Sequence, residues 1–362
     1  MIIFFSIVLL IVFALAYNKF SPQTGGATVE YDSPNFRDGR FQNIVSTPMT
    51  SEKNSLGKSL YAFMFSKDKN SYPKKPLSTA EFSKNFLDSL FETDVSVTWF
   101  GHSTALFAAK GLTILTDPVF NKNKIPPLYL GPKPFPYKNE YNLSDLPKID
   151  IVLLSHDHFD HLDMDTIKHF KESKFHVPLG VKSHLLEWGF NGDNIFEYDW
   201  YDEAKILPNL KLAFAPARHF SGRGLFNRNK TLWGSWVIEF MNKKIYFGGD
   251  SGYFSGFKTI GEKYGPFDIA LLDSGQYNKL WSNVHMVPEE SVQAAQALQA
   301  KIMLPIHWGK YVLSLHSWYE PIVRSILEAE KRGVNVATPK IGQTFLLDNS
   351  LPVERWWEAG IE

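Results

Sequence analysis

Residues 156–161 carry four strong metal ligands in the pattern H-x-H-x-D-H, and this density restricts the fold more than any other feature of the chain. The ligands follow a largely apolar run, residues 149–154, which has the length and composition of a buried strand. Asp163 comes soon after them and is typical of a helix N-cap. The pattern therefore predicts a loop between a strand and a helix, where α/β folds carry their chemistry.

Composition excludes several classes of protein. The chain has 362 residues, enough for one large domain or two ordinary ones. Its formal net charge is zero, so the electrostatic surface of a general nucleic-acid-binding protein is not expected. It contains no cysteine, which excludes disulfides, thiolate zinc sites and lipidation of a cysteine side chain.

The N-terminus departs from an ordinary globular sequence, because residues 2–17 carry no charged side chain. A helix of this length spans about 25 Å, slightly less than the roughly 30 Å hydrocarbon core of a bilayer. We favour an uncleaved membrane anchor, because no lysine or arginine precedes the apolar run as it would in a signal peptide. Two alternatives stay open: a signal peptide cleaved near Ala16, after Ala14-Leu15-Ala16, and a buried helix of the core.

The rest of the chain divides into three predicted segments. Residues 18–92 form an irregular extension that wraps the main domain, with short helices over residues 55–66 and 78–91. Residues 93–350 form the main domain, and residues 351–362 form a tail.

Sequence periodicity predicts the elements of the main domain. The predicted strands are residues 95–99, 105–109, 112–116, 149–154, 211–215, 236–241, 244–247, 269–272, 301–305 and 343–347. The predicted helices are residues 164–173, 288–300 and 318–332. Residues 125–137 contain five prolines, so we expect a long surface loop and a candidate rim of a substrate site.

Ligand-type residues recur directly after predicted strands, at Asp117, His156, His219, Asp250 and His307. Imidazole and carboxylate groups suit Zn²⁺, Fe or Mn. Seven candidate metal ligands result, namely His156, His158, Asp160, His161, His219, Asp250 and His307. Seven ligands are too many for one tetrahedral ion, so the sequence predicts two ions that share a bridging carboxylate.

The ligand order, H-x-H-x-D-H followed by His219, Asp250 and His307, resembles the metallo-β-lactamase superfamily of binuclear metallohydrolases. Further blocks resemble its N-acylphosphatidylethanolamine-hydrolysing phospholipase D branch. They are Trp99-Phe100-Gly101-His102-Ser103-Thr104, Leu115-Thr116-Asp117-Pro118, His219-Phe220-Ser221-Gly222-Arg223, Leu232-Trp233-Gly234-Ser235-Trp236, Phe247-Gly248-Gly249-Asp250-Ser251-Gly252-Tyr253 and Ile306-His307-Trp308-Gly309. The resemblance covers about residues 34–348, including Asn35-Phe36-Arg37-Asp38-Gly39.

The resemblance implies an α/β protein with a four-layer αββα sandwich of metallo-β-lactamase type, here with an N-terminal apolar helix and an irregular lead-in. It also implies that one metal takes His156, His158 and His219, and that the other takes Asp160, His161 and His307. Asp250 bridges them, the two divalent ions are expected to be Zn²⁺, and a metal-bridging hydroxide is the expected nucleophile. Asp160, Asp250 and His285 are the residues connected with catalysis.

Supporting residues have two interpretations each. Asp117 orients a ligand histidine or caps a turn, and His102 orients a ligand or hydrogen-bonds in the core. His285 donates a proton to the leaving group or binds phosphate, or else is a loop residue. Arg223 clamps a phosphate or holds a loop, and Tyr277 is a weaker candidate for substrate contact. The other histidines, His169, His176, His184 and His316, are expected to be structural or exposed.

The resemblance implies a phosphodiesterase of phospholipase D type, active in lipid metabolism on N-acylphosphatidylethanolamine-like or related phospholipids. The chain has Asp273 and Gln276 where the branch often shows an Ile-Gly-Ala-Tyr type segment, so the headgroup preference is not implied. One alternative is a lactonase or carboxylic ester or amide hydrolase on the same fold. Another is a non-catalytic metal-binding membrane protein. The expected partners are a phospholipid or other small ester and a membrane; a homodimer stays open.

Overall fold

The computed structural model describes residues 16–17, 21–26, 29–48, 61–62, 65–83, 94–126 and 131–361. Within them, two seven-stranded sheets form the centre of the protein, and a small hairpin lies in the lead-in. The hairpin pairs β1 (Phe36–Arg37) with β2 (Arg40–Phe41) in antiparallel fashion. The Phe41 N–H donates to the carbonyl of Asn229 at 2.8 Å, which attaches this part of the lead-in to the main domain.

The first sheet combines strands from both ends of the main domain. In spatial order they are β16 (Thr344–Leu346), β3 (Ser96–Trp99), β4 (Ala105–Ala109), β5 (Leu112–Thr116), β6 (Ile151–Leu153), β7 (Lys174–Pro178) and β8 (Ile195–Tyr198). The pairings from β16 to β5 are antiparallel, and those from β5 to β8 are parallel. Strand β6 is buried along its whole length, as is usual for an apolar strand in a covered parallel sheet.

The second sheet repeats this order of pairings. Its strands are β9 (Glu203–Leu207), β10 (Leu210–Ala215), β11 (Ser235–Phe240), β12 (Lys243–Phe247), β13 (Ile269–Asp273), β14 (Ile302–Ile306) and β15 (Asn335–Val336). The pairings from β9 to β12 are antiparallel, and those from β12 to β15 are parallel. The β11–β12 hairpin turns at Met241 and Asn242, whose φ angles of 48° and 67° suit a two-residue turn.

Helices lie in the crossovers between parallel strands. They are α1 (Met164–Ile167), α2 (Val181–Glu187), α3 (Gly256–Tyr264), α4 (Pro288–Ala297) and α5 (Glu320–Arg332). Single 3₁₀ turns cover Pro22–Thr24, Leu143–Asp145, Lys168–Phe170, Gly192–Asn194 and Trp356–Gly360. As predicted, Asp163 caps α1 by accepting from the Thr166 N–H at 3.1 Å. Gly333 ends α5 with φ 67°.

Two apolar cores hold these layers together. The larger core contains side chains of both sheets, among them Phe107 of β4 and Trp236 of β11. The smaller core lies between the second sheet and its helices and includes Phe257 of α3 and Val292 of α4. The prediction of a mixed α/β fold with two large sheets is therefore confirmed.

The predicted strands agree with the structure to within two residues at each end. The predicted helix over residues 164–173 was too long, because α1 tightens into a 3₁₀ turn and β7 starts at Lys174. Strands β7, β8, β9 and β15 and helices α2 and α3 were not predicted. Residues 78–83 are not helical, contrary to prediction, and the Ala80 N–H instead donates to the carbonyl of Ile341 at 2.8 Å.

Other predictions for the N-terminal part lie largely outside the described residues. These are the helix over residues 55–66, the remainder of the one over residues 78–91, and the apolar helix over residues 2–17, of which Ala16 and Tyr17 are described. Among the residues that the structure describes, no helix combines the length and apolar character needed to cross a membrane.

Candidate metal centre

The ligand-type residues converge where the two sheets end. Asp117 and the 156–161 loop follow β5 and β6 of the first sheet, while His219, Asp250 and His307 follow β10, β12 and β14 of the second. Side chains that leave neighbouring parallel strands at their carboxyl ends meet at one edge, which is where α/β sheets bind ligands. All seven predicted metal ligands lie in this cluster.

One group of donors consists of His156, His158, His219 and Asp250, whose donor atoms lie within 4.8 Å of one another. His156 Nε2 is 2.8 Å from His158 Nδ1, and His219 Nε2 is 3.3 Å from the same atom. Asp250 Oδ2 lies 3.8 Å from His156 Nε2 and 3.7 Å from His219 Nε2. Three imidazole nitrogens and a carboxylate oxygen therefore face one small volume.

A second group consists of His102, Asp160, His161 and His307. Asp160 Oδ2 is 3.6 Å from His161 Nε2 and 3.5 Å from His307 Nε2. Asp250 Oδ1 faces this group, at 3.2 Å from His161 Nε2 and 2.9 Å from His307 Nδ1. Since its other oxygen faces the first group, Asp250 lies between the two.

Hydrogen bonds outside the cluster set the orientation of the imidazole rings. His156 Nδ1 is 2.9 Å from Ser155 Oγ, and His219 Nδ1 is 2.9 Å from the carbonyl of Val284. His161 Nδ1 is 2.7 Å from Asp117 Oδ2. In each case the other ring nitrogen, Nε2, is left to face the cluster, which is the arrangement that metal-binding histidines require.

Unsatisfied atoms test whether a cation fits here. His161 Nε2, His307 Nε2 and Asp250 Oδ1 are buried and lie close to charged or polar atoms of the cluster, but none of the three forms a hydrogen bond of acceptable geometry among the described residues. Buried polar groups without a partner are costly and rare. A divalent cation would satisfy all three, and imidazole nitrogens with carboxylate oxygens form a donor set that such cations accept. The residues therefore fit a metal centre.

The electrostatics of the cluster also favour cations. Burial alone would raise the pKa of Asp160 and Asp250, but the neighbouring His161 holds both well below the usual range. Burial lowers the pKa of His156 and His219, so these rings are neutral and able to donate a lone pair to a cation. Burial also opposes the charge on His161, yet the two carboxylates raise its pKa to about 10. Asp160 and Asp250 are thus ionised although buried, and their negative charge stabilises positive charge in this volume.

Three residues of the site adopt positive φ angles, at 53° for His102, 36° for Asp117 and 65° for His307. Such angles are uncommon outside glycine and are found mainly where the surrounding structure imposes them, often at functional sites. His102 and His307 lie on adjacent segments, since the His102 N–H donates to the Trp308 carbonyl at 2.9 Å.

The structure places two predicted supporting residues in contact with donors. Asp117 bonds to His161 and also accepts from the Ser155 N–H at 2.8 Å, which is the geometry that an orienting role requires. His102 Nε2 is 2.9 Å from Asp160 Oδ2, and burial lowers the pKa of His102 to about 3. A neutral His102 donating this bond would orient Asp160; its role stays a prediction.

His285 lies at the cluster together with a residue that we did not predict as part of the site. Its Nδ1 is 2.8 Å from Asp273 Oδ2 and 4.0 Å from Asp250 Oδ2. The other oxygen of Asp273 is 3.2 Å from His307 Nδ1. Asp273 ends β13, so it follows the same strand-end pattern as the predicted ligands and could have been identified from it.

Arg223 is buried and has no free guanidinium face for a phosphate. Its Nη1 donates to the carbonyls of Asp157 at 2.8 Å and Leu162 at 2.6 Å, and its Nε donates to the carbonyl of Gln23 at 2.8 Å. Phe159 lies beneath the guanidinium, with its ring centre 4.3 Å away. Of the two interpretations of Arg223, the structure supports the one in which it holds a loop, and that loop carries the metal-ligand motif.

Tyr277 is not brought to the donor cluster. Its hydroxyl donates to Glu320 of α5 at 2.7 Å, its ring stacks on His316 at 4.3 Å, and Arg324 covers it at 4.9 Å. Packing against α5 therefore explains the position of Tyr277.

A cavity of about 230 Å³ lies next to segments that adjoin the cluster. Its walls are mainly aromatic and proline side chains, with Phe100, Phe120, Phe135, Tyr137 and Tyr141 among the lining residues, and charged side chains such as Lys133 and Glu140 also contribute. Phe100 is two residues before His102, and the lining residue Lys310 is three residues after His307. The proline-rich loop therefore contributes to a cavity wall, through residues 133–137.

Comparison with known proteins gives the family. A model of the beta-lactamase superfamily domain matches residues 113–308. The chain belongs to the β-lactamase superfamily. An uncharacterized protein of Mycobacterium tuberculosis is 39% identical over 91% of this chain and 88% of its own length. N-acyl-phosphatidylethanolamine-hydrolyzing phospholipase D 1 of Caenorhabditis elegans is 35% identical over 63% of this chain and 67% of its own length, which supports the suspected branch.

A solved structure supports the fold independently. The metallo hydrolase Igni18 of Ignicoccus hospitalis superposes with a TM-score of 0.55 at 24% identity, covering 70% of this chain and 98% of that protein. Fold, family and donor cluster together establish a metallo-β-lactamase-type hydrolase with His and Asp groups suited to divalent metal.

Proposed function

We propose that this protein is a binuclear metal-dependent phosphodiesterase of phospholipase D type that acts on N-acylphosphatidylethanolamine-like or related phospholipids. The observation that carries the proposal is the position of Asp250 between two groups of donors, with its carboxylate oxygens 2.9–3.8 Å from four ring nitrogens, two in each group. One carboxylate that faces two sets of imidazoles is the arrangement that a pair of bridged metals requires.

His156, His158 and His219 would hold one ion, and Asp160, His161 and His307 would hold the other, with Asp250 shared and Zn²⁺ as the expected metal. Such ions, when bound, lower the pKa of water and neutralise charge on a phosphoryl oxygen. The protein's own residues keep this environment dry, because all of these donors except His158 and Asp160 are buried.

His285 is suited to deliver a proton to the leaving alkoxide. Its Nδ1–H is held by the buried carboxylate of Asp273 at 2.8 Å, so Nε2 is the ring nitrogen that can take up a proton and pass it to the leaving oxygen. A general acid must be held in one orientation within reach of the leaving oxygen. Asp273 supplies this orientation, as the carboxylate partner of a catalytic histidine does in other hydrolases.

A lipid substrate is supported by two features of different kinds. The cavity lined by Phe100 and Lys310, which lie two and three residues from His102 and His307 in the sequence, offers apolar walls for an acyl chain or a glycerol backbone. The relative from Caenorhabditis elegans is named for hydrolysis of N-acyl-phosphatidylethanolamine. An anchor formed by residues 2–17 would keep the site at a membrane surface, which suits a lipid substrate.

The test uses the full chain in detergent and a lipid extract supplemented with N-acylphosphatidylethanolamine, with products read by mass spectrometry in ¹⁸O-labelled water. Attack at phosphorus predicts phosphatidic acid that carries ¹⁸O on its phosphate, together with the unlabelled headgroup alcohol. Turnover of aryl esters or lactones with ¹⁸O in a carboxylate, and none of the phosphodiester, would replace the proposal with a carboxylic ester hydrolase.

Metal analysis of the same preparation, combined with turnover, distinguishes the proposed enzyme from the alternative of a non-catalytic metal-binding protein. Two ions per chain are expected, with loss of turnover on chelation and recovery on adding Zn²⁺. Metal binding without turnover of any substrate would favour the non-catalytic alternative. Asp165→Asn is a suitable control, because Asp165 lies close to the motif but is exposed on α1.

A further inference from the structure

The loop that follows Arg223 exposes two large apolar side chains in succession. The exposed fraction is 61% for Leu225 and 64% for Phe226, and Ile44 of the lead-in is exposed to 55%. Single exposed apolar residues are ordinary, whereas neighbouring large ones mark an interaction surface. We call Leu225 and Phe226 the apolar tip.

The apolar tip is directly connected to the metal-ligand loop. Arg223 donates to the carbonyls of Asp157 and Leu162, and the Gly222 N–H donates to Asp157 Oδ1 at 2.7 Å. Ile44 lies close to the site as well, because its neighbour Asn43 exchanges hydrogen bonds with the backbone of His219 at 2.7 and 3.1 Å. A surface bound by these apolar residues would therefore lie beside the donors.

Cationic side chains flank the tip. Arg228 and Arg40 are exposed, and Arg40 Nη1 donates to the Arg228 carbonyl at 2.8 Å. The pKa of Arg228 is lowered mainly by partial burial and secondly by the positive charge of Arg40. The second effect indicates that the two guanidinium groups are close. Arg37 of the same hairpin is also exposed, and Asp38 is the acid between them. The excess of positive charge suits phosphate groups.

The end of the apolar N-terminal stretch lies at the same loop. The Tyr17 hydroxyl donates to Gln23 Oε1 at 2.5 Å, and the Gln23 carbonyl accepts from Arg223 Nε. Asn227 Nδ2 donates to the carbonyl of Thr24 at 3.3 Å, beside the tip. Residue 17 and the apolar tip are thus held on one network of hydrogen bonds with the metal-ligand loop.

We propose that the apolar tip inserts into the surface of a bilayer that contains anionic phospholipid, with Arg40 and Arg228 at the level of the headgroups. Apolar side chains flanked by arginines bind such surfaces through combined burial and charge attraction. Insertion would turn the metal-ligand loop toward the membrane and so present the donors to a lipid headgroup. The inference rests on the proposed function, because presenting a headgroup to the donors matters only for a lipid substrate. Its test measures insertion of the apolar tip and not turnover.

The absence of cysteine allows a direct experiment on the full chain. Phe226→Cys is labelled with an environment-sensitive fluorophore and mixed with phosphatidylcholine vesicles, with or without phosphatidylglycerol, that carry a quencher on their acyl chains. Leu327→Cys is the matched control, because Leu327 is exposed to 50% on α5. The label at position 226 is expected to be quenched strongly and the label at position 327 not, with more quenching when phosphatidylglycerol is present.

Charge is tested by adding Arg40→Gln and Arg228→Gln to the labelled Phe226→Cys chain. This variant is expected to lose most of the extra quenching that phosphatidylglycerol produces. Equal quenching at positions 226 and 327 would overturn the proposal. A blue shift at position 226 without lipid quenching would also overturn it, since the tip would then be covered by protein. Circular dichroism and thermal unfolding of each variant show that the fold is retained.

Discussion

The donors that follow the first sheet are held differently from those that follow the second. The first sheet supplies four of the seven predicted ligands on one loop, residues 156–161. The second sheet supplies His219, Asp250 and His307 singly, each after a different strand. Both sheets have three antiparallel pairings followed by three parallel ones, so the difference lies in the loops and not in the sheets.

The two arrangements depend on different interactions. The 156–161 loop is fixed by side chains from elsewhere, since Arg223 binds the carbonyls of Asp157 and Leu162 and Asp117 binds His161 and Ser155. The dispersed donors leave strands whose positions are set by backbone ladders. We call the 156–161 loop the loop half of the site, and His219, Asp250 and His307 the strand-end half. Metal binding by the loop half should therefore depend on its supporting side chains, whereas metal binding by the strand-end half should depend mainly on the donors themselves.

Asp250→Asn should have the largest effect, because Asp250 is the donor that faces both halves. We expect hydrolysis to fall by more than about 10²-fold and the metal content to fall below that of the unaltered protein, since an amide neither carries the charge nor bridges two cations. Metal analysis together with turnover of a bis-aryl phosphodiester measures both. An Asp250→Asn protein with full activity would contradict a shared carboxylate.

Asp117→Asn and Asp273→Asn compare the carboxylates that support each half. Asp117 contacts His161 of the loop at 2.7 Å, and Asp273 contacts His307 of a strand end at 3.2 Å. Loss of such a partner typically costs about 10- to 100-fold in metal affinity or activity. Because Asp117 also accepts from the Ser155 N–H, we expect its replacement to have the greater effect.

Competition with a chelator gives the metal affinity of each variant, and the pH profile of Asp273→Asn separates its contact with His285 from its contact with His307. Equal effects of the two substitutions on metal affinity would show that the loop is no more dependent on its support than the strand ends are. Glu262→Gln is a control, because Glu262 is exposed on α3.

The sequence alone predicted the donors of the loop half better than those of the strand-end half, for a physical reason. Close spacing of His156, His158, Asp160 and His161 requires no knowledge of the sheet, whereas His219, Asp250 and His307 meet only because strands far apart in sequence end at one edge. They were grouped only because each follows a predicted strand, and their assignment to individual ions depended on a family resemblance. Asp273 follows the same strand-end pattern and was still interpreted only as an influence on headgroup preference.

Other elements were missed because local signals do not determine them. Strand β7 contains a charged residue, a histidine and a proline among its five residues, so it lacks an alternating pattern. Helix α3 contains two glycines and has no side-chain cap. The partners of Arg223 are backbone carbonyls at positions 23, 157 and 162, and no sequence pattern identifies such long-range contacts.

Arg223→Gln tests the dependence of the loop half on a residue that touches no donor atom. Glutamine cannot reach the carbonyls of Asp157, Leu162 and Gln23 together, so we expect a lower thermal unfolding temperature and a loss of metal affinity of about tenfold, the lower end of the usual range. Arg228→Gln, an exposed arginine of the same loop, is the control. Unchanged metal affinity in a destabilised Arg223→Gln protein would limit Arg223 to folding.

Lys310→Met should have the smallest effect on the metals, because Lys310 connects the two halves without contacting a donor. It follows β14 of the second sheet, and its Nζ donates to the carbonyl of Val119, which follows β5 of the first. Burial lowers the pKa of Lys310 from 10.5 to about 8. The unfolded chain therefore binds more protons than the folded one between these values, so this residue makes the protein more stable as pH rises from 8 to 10.5.

The shift corresponds to a change of about 3 kcal/mol in the free energy of unfolding across that interval. Methionine does not titrate, so the difference in unfolding free energy between Lys310→Met and the unaltered protein should move in favour of the unaltered protein as pH rises. Urea unfolding of both proteins at pH 7.5 and pH 10.5 measures this difference. A difference that is the same at both pH values would mean that Lys310 is not buried as an amine at the contact between the halves.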